Sequence, residues 1–331
     1  MAERVPVAVN SVWQRETVER TLPSMEATRP SLLTSAASSR LDAIRDTARA
    51  APLLHAYPLE TVVATIRGIA EPSSYGYLPE SIFAALSALN NRFGPAETGF
   101  YKKQLIIQLI DEMPARIQAL SLPKSIEELY PDILDVVVET LVDTPDQQYL
   151  ATVGDLIREL RITSARSIPC GAQIVDNCTS APRSIYRYQG LRNNLKSLWF
   201  ILSRLGGLSP LFRIHTESRY LKYFNETGWD DCYRRISELM RGNPRIRGLI
   251  ATSWFYDPQL EIISPRLAYL RRRPVDNGAY LHFDGTNDID IERATSTSPT
   301  RRELYEKGEY MPTCYTLLWA RADLLRWAAR N

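Results

Sequence analysis

Proton transfer needs an imidazole or carboxylate held against a partner, and the chain has three histidines, His55, His215 and His282. Two of them stand in polar clusters: His215-Thr-Glu217 precedes Arg219, and His282-Phe-Asp284 precedes Gly285 and Thr286. A third cluster, Ser253, Trp254, Tyr256 and Asp257, follows the apolar run Gly248–Thr252. Histidine is the side chain whose ordinary pKa lies nearest neutrality. His215 is therefore the preferred general base, with Glu217 or Asp284 to orient it and Asp257 as a further catalytic carboxylate. Arg219, Ser253, Trp254 and Tyr256 read as substrate-binding residues around it.

Other chemistries can be weighed by spacing. His282 and Asp284 share one face of a strand, as two ligands of a facial metal triad do. This gives an alternative reading, a metal-dependent enzyme of the non-heme iron type with His215, Glu217, His282 and Asp284 as ligands. Metal is the less favoured cofactor, because no histidine follows His282. Ser253 lacks the G-x-S-x-G elbow that exposes a nucleophile. Cys170, in a Pro-Cys-Gly loop without a neighbouring histidine, reads as an inert thiol. Neither G-x-G-x-x-G nor G-x-x-x-x-G-K-[ST] occurs, which argues against the common dinucleotide and P-loop sites.

The elements that must carry these clusters alternate. Leu211–Ile214, Gly248–Thr252, Ala279–Phe283 and Tyr315–Trp319 read as strands, and Ile174-Val175 as a loop or one short strand. Between them, Trp229, Cys232, Tyr233, Ile236, Leu239 and Met240 form a helical stripe. Ser264-Pro265 and Ser298-Pro299 have the cap-then-proline order of helix starts. In a helix from Leu191 to Leu205, Leu195, Leu198, Trp199 and Leu202 are expected to face inward. Strand–helix alternation implies a sheet with crossover helices, and in such sheets ligands bind beyond the carboxyl ends of strands. All three polar clusters fall there.

From Leu41 to Arg161 helical periodicity dominates. Leu59, Val62, Val63, Ile66 and Ile69 share a face, Ile82, Leu86 and Leu89 another, and Leu105, Ile106, Leu109 and Ile110 a third. Pro114 is expected to end or kink that third helix, Ser125-Ile-Glu-Glu128 to cap the next, and Pro145 to open the last. The expected fold class is α/β, α+β overall. It comprises a flexible arm over 1–40, a helical domain over 41–162 and an α/β domain over 163–331.

Residues 1–160 carry 14 Lys/Arg against 21 Asp/Glu, a net −7, whereas residues 161–331 carry 26 against 17, a net +9. The basic half suits a phosphate-bearing or carboxylate small molecule. Arg293 and Arg301, flanking the helix start at Ser298, are candidates to hold such an anion. Arg271-Arg272-Arg273 reads as a solvated helix end, and no basic face interleaved with aromatics points to nucleic acid. No apolar run reaches the length of a membrane span, so no membrane partner is expected. The N-terminus lacks a secretory pattern, and four unpaired-looking cysteines suit a reducing, cytoplasmic setting.

From Arg247 onward, strand, helix, strand, helix and strand follow one another. Ser298-Pro-Thr-Arg-Arg-Glu-Leu-Tyr-Glu-Lys-Gly308 leads into Tyr310 and the Tyr315 strand. This stretch resembles the closing part of GNAT-type acyltransferases. The resemblance implies an acyl-CoA or acyl-carrier donor and carries over Tyr305 as a general acid. The family's Q/R-x-x-G-x-G/A loop, sought after the Gly248 strand, is replaced by Trp254-Phe-Tyr-Asp-Pro-Gln-Leu260. The expectation is a small-molecule enzyme, a GNAT-like acyl or group transferase using the strand-end rim. The alternatives are the metal enzyme and a non-catalytic interaction protein docking through its acidic half.

Overall fold

The structure is a computed structural model and describes residues 32–68, 79–181, 185, 190–216, 219 and 221–331. It is a mixed α/β protein, with helices N-terminal and a mixed sheet with helices C-terminal. It divides into two compact units, one comprising the chain to Pro169 with Ser218–Tyr220, the other Cys170–Glu217 with Leu221–Asn331.

The first unit is helical: α1 (Ser35–Asp42), α2 (Thr47–Ala56), α3 (Leu59–Arg67), α4 (Glu80–Phe93), α5 (Pro95–Leu120), α6 (Lys124–Glu127), α7 (Tyr130–Asp143) and α8 (Val153–Thr163), then a three-residue strand β1 (Ser167–Pro169). Of the arm expected over 1–40, residues 1–31 lie outside the described residues, and Ser35 already begins α1. Helix α5 organises the unit because it is apolar on several sides, burying Leu105, Ile106, Leu109, Ile110, Met113 and Ile117. Pro114 does not end it. Core packing at Met113 and Ile117 holds the helix together across the missing amide, whose loss ordinarily costs about 3 kcal/mol. Ser125 sits inside α6 rather than capping it. Side-chain caps lie at α1, α2 and α8 instead; at α8, Thr152 accepts from the Asp155 amide at 3.1 Å and donates to its carboxylate at 2.6 Å. Pro145 opens only the single turn Asp146–Gln148. That turn presses on α5 at Gly99, where a Cβ would stand 1.6 Å from the Asp146 carbonyl oxygen. Lys103, buried, reaches the Asp146 carboxylate at 2.9 Å and the Thr144 carbonyl at 2.7 Å.

The second unit contains β2 (Ile174–Thr179), α9 (Gly190–Phe200), β3 (Leu211–His215), α10 (Glu226–Gly242), β4 (Gly248–Ser253), α11 (Leu260–Ile263), α12 (Ala268–Asp276), β5 (Tyr280–Gly285), α13 (Asp288–Thr295), α14 (Pro299–Glu306), β6 (Cys314–Ala320) and α15 (Arg321–Ala328). Its strands lie in the order β2-β3-β4-β6-β5. β3 and β4 are parallel across the α10 crossover, while β2 is antiparallel to β3 and β6 is antiparallel to both β4 and β5. One face of the sheet packs on aromatic side chains of α10 and α15. Tyr233 and Trp327 meet Trp319 with ring centroids 5.1 and 5.8 Å apart. The stripe read on α10 is the buried one.

The other face is covered by α9, and here the reading of the helix is reversed. Ser197, Phe200, Ile201 and Leu205 are buried, whereas Leu195, Leu198, Trp199 and Leu202 are exposed. Both sets recur at helical spacing. The smaller set lies inward because Phe200 stacks on Tyr280 at 5.2 Å and Ser197 meets two polar groups of β5.

Candidate active site at the carboxyl ends of the strands

Strand polarity brings the clusters to one end of the sheet. Because β6 runs antiparallel to β4 and to β5, the carboxyl ends of β3, β4 and β5 point the same way. Ser253 pairs with Tyr315, and Phe283 pairs with Tyr315 from the other side. His215, Ser253 and Asp284 therefore share a rim, but their lateral order separates them. Two strands stand between β3 and β5, so His215 and His282 lie three strand spacings apart, roughly 14 Å.

On the α9 face this rim is a polar row. Thr252 pairs with Thr316, and Thr316 with His282. The Thr252 and Thr316 hydroxyls are 2.7 Å apart, and Thr316 also donates to Asp284. Ser197 Oγ lies 2.9 Å from the Tyr280 hydroxyl and 3.3 Å from His282 Nδ1. Burial lowers the His282 pKa, and the Asp284 charge only partly opposes this, which favours the neutral ring. Burial raises the Asp284 pKa, against the Thr316 hydrogen bond and His282.

The opposite end of the row is His215. Its Nε2 lies 2.9 Å from Asp176 Oδ2 on β2, with side-chain exposures of 21% and 4%. A carboxylate only accepts, so Nε2 carries the proton and, in the neutral ring, Nδ1 is the basic nitrogen. His282, 2% exposed, is sealed from solvent, whereas His215 is reachable. Beside His215, Gln173 reaches the Thr216 hydroxyl at 3.0 Å. The parallel β3–β4 ladder is only two residue pairs long, Phe212 with Leu249 and Arg213 with Ile250. His215 and Ala251–Ser253 lie beyond it.

Several nominated residues have other positions. Glu217 lies outside the described residues. Asp284 cannot orient His215 across two intervening strands; Asp176 does so, from the short strand whose apolar start alone was legible. Asp257, 1% exposed, accepts from the Gln259 amide at 2.9 Å and the Thr313 amide at 3.0 Å. It pins a loop rather than facing ligand, and burial raises its pKa. Ser253 caps the turn Trp254–Tyr256, accepting from the Phe255 amide at 3.1 Å. Trp254 and Tyr256 are buried, and the Arg301 guanidinium lies 4.9 Å from the Trp254 ring centre. Arg301 is itself buried, donating to the Ala294 carbonyl and the Ser264 hydroxyl, so it joins α13 and α14 instead of awaiting an anion. Arg293 is exposed on α13 and Tyr305 half-buried on α14.

Arg219 belongs to the helical unit, where it grips Glu159 through two bonds of 2.8 and 2.9 Å and reaches Thr140 at 3.2 Å. Cys170 is fully buried and its thiol pKa is pushed well up, which removes it as a nucleophile. Arg271 and Arg272 are engaged by Glu261, and Arg273 by Glu226 and Asp230. His215 and His282 cannot ligate one ion, since metal–nitrogen bonds near 2 Å do not span strands so far apart. Among the described residues no group of three or more His, Cys, Asp or Glu is placed to hold a metal, and no helix is long and apolar enough to cross a membrane.

The chain is similar in structure to acyltransferases solved with acyl-CoA bound. One is an acyltransferase variant in complex with octanoyl-CoA, at 11% identity and a TM-score of 0.48, covering 87% of this chain and 84% of that one. Another is an acyltransferase in complex with decanoyl-CoA and teicoplanin, at 12% identity and a TM-score of 0.47, with the same coverage. No protein-family model and no curated protein sequence matches the chain.

Proposed function

We propose that the second unit is an acyl or group transferase for small molecules, with His215 as general base and Asp176 as the residue that positions it. One observation carries this reading: a solvent-reachable imidazole, hydrogen-bonded to a buried carboxylate, stands where a two-pair parallel ladder ends. A carboxylate in that position fixes the tautomer and stabilises the imidazolium that forms on proton transfer. An acceptor amine or hydroxyl attacking an acyl carbon would pass its proton to His215 Nδ1. The carbon–sulfur bond of a thioester donor then breaks, and its sulfur leaves as a thiolate. The exposed Thr252 at the end of β4 would offer its hydroxyl to a polar acceptor, while Thr316, buried and bonded to Thr252 and Asp284, holds it in place.

An acyl-CoA or acyl-carrier thioester is the donor class implied by the resemblance at Ser298–Tyr310. The residues present fit its extended amide arm, because the strand edges beyond the short ladder offer backbone donors and acceptors. The phosphates would draw on the basic charge of residues 161–331 rather than on Arg301, which is already engaged.

The test is thiol release from acetyl-, octanoyl- and decanoyl-CoA by the full chain, with a panel of amine and hydroxyl acceptors. Binding of each donor is measured in parallel by calorimetry. His215→Gln should cut turnover by about 100-fold or more, the usual contribution of a general base, while leaving donor affinity in place. Full turnover in His215→Gln would refute the assignment of the base, and absence of both binding and turnover with every donor would refute the function.

A further inference from the structure

The side of α9 opposite Ser197 is apolar and left in solvent. Leu195, Leu198, Trp199 and Leu202 are 54, 39, 66 and 64% exposed. They recur at i, i+3, i+4 and i+7, with Leu202 in the wide turn Ile201–Leu205 that continues the helix. Contiguous exposed apolar side chains of this size mark a binding surface.

Charge indicates what binds there. Between Asp176 and Glu217 the chain has no Asp or Glu. Lys196 is exposed beside the stripe, while Arg204 is engaged by Asp323 at 2.6 Å. A second copy of the chain on this stripe would bring two Lys196 cations to one interface. Four side chains on one helix would also bury on the order of 400 Å² per partner, about half of what a stable interface uses. A phospholipid surface makes neither demand. Apolar side chains sink to the acyl boundary, cations stay at the headgroups, and tryptophan favours that depth.

We infer that α9 and its continuing turn form an interfacial helix that adsorbs to anionic phospholipid bilayers through Leu195, Leu198, Trp199 and Leu202, with Lys196 at the headgroups. No spanning segment is required. The inference departs from the sequence-based expectation of no membrane partner, and it stands independently of the proposed reaction.

The experiment is co-sedimentation of the full chain with vesicles of phosphatidylcholine alone or mixed with phosphatidylglycerol, at low and high salt. The chain should sediment with the mixed vesicles, and binding should weaken as salt screens the headgroups. Trp199→Ser/Leu202→Ser should lower the apparent affinity at least about tenfold, since two large apolar side chains no longer leave water. Both positions are exposed, so the variant's thermal unfolding should match the parent's. Lys196→Glu should weaken binding to mixed vesicles. The inference is overturned if the parent stays in solution with both vesicle types or if the double variant binds as well as the parent. A concentration-dependent dimer abolished by the double variant, without vesicle binding, overturns it in favour of self-association.

Discussion

Arg219 decides between a site and a scaffold, and its replacement has a calculable outcome. The Glu159 side chain is 0% exposed and Arg219 18% exposed, with two bonds of 2.8 and 2.9 Å between them. Arg219→Met keeps most of the aliphatic stem but leaves the buried carboxylate without its cation. Removing one partner of a buried pair costs about 3–5 kcal/mol. Two unit charges about 4 Å apart at an effective dielectric near 20 give about 4 kcal/mol, a figure of the same size. With a urea m-value near 2 kcal/mol per molar, the midpoint of the helical unit should fall by about 2 M. Arg219→Met/Glu159→Leu removes both charges and should recover most of that loss, because an apolar pair needs no desolvated ions. The assay is urea unfolding of the full chain followed by circular dichroism, with turnover of the double variant measured alongside. The scaffold reading fails if Arg219→Met shifts the midpoint by less than about 0.5 M, if the two changes are additive, or if the stable double variant has lost turnover.

Three further outcomes follow from the same geometry. Gly99→Ala places a Cβ 1.6 Å from the Asp146 carbonyl oxygen, whereas at Gly154 the nearest atom is 3.9 Å away. Calorimetry should show a loss of about 3 kcal/mol for the first and a gain of up to about 1 kcal/mol for Gly154→Ala. His282 has its folded pKa below the unfolded value of 6.5 through burial. The unfolded chain therefore binds more protons as pH falls below 6.5, and stability drops from there down to the folded pKa. In His282→Gln that part of the slope should vanish from pH-dependent unfolding curves; an unchanged slope would mean the ring titrates as in the unfolded chain. Thr316→Val strips the hydroxyl shared by Thr252 and Asp284 and should cost about 1–3 kcal/mol. Thr252→Val/Thr316→Val should cost less than the sum of the single changes, as seen in a double-mutant cycle.

What the sequence disclosed, and what it withheld, divides along a physical line. Interactions within a few residues leave a periodicity, so β3 to β6, the α10 stripe and the cap at Ser298, which accepts from the Arg301 amide, could all be read directly. The shared direction of β3, β4 and β5 agrees with the strand–helix alternation, whereas β6 runs antiparallel to both its neighbours, which alternation alone does not foretell. Lateral order was not legible, since β6 inserts between β4 and β5 through pairings that local sequence does not record. With β4 already beside β3, that insertion puts two strands between His215 and Asp284. The partner His215 does have, Asp176, directly follows the Ile174-Val175 patch. Its type and strand position were visible, but only the antiparallel β2–β3 register, Ile174 with His215, makes it a neighbour.

Helix α9 marks the limit from the other side. It carries two stripes at the same spacing, and hydrophobicity alone chooses Leu195, Leu198, Trp199 and Leu202 over a set containing Ser197. The fold chooses the reverse because burying Ser197 gives Tyr280 and His282 a polar partner beneath the helix, whereas burying the tryptophan would leave both without one. An unpaired buried polar group costs about 1–3 kcal/mol, and two such groups together rival the transfer energy of one large apolar side chain. The polar row of the rim therefore sets which face of α9 turns inward, and the apolar face left outside is a consequence of how the site is built.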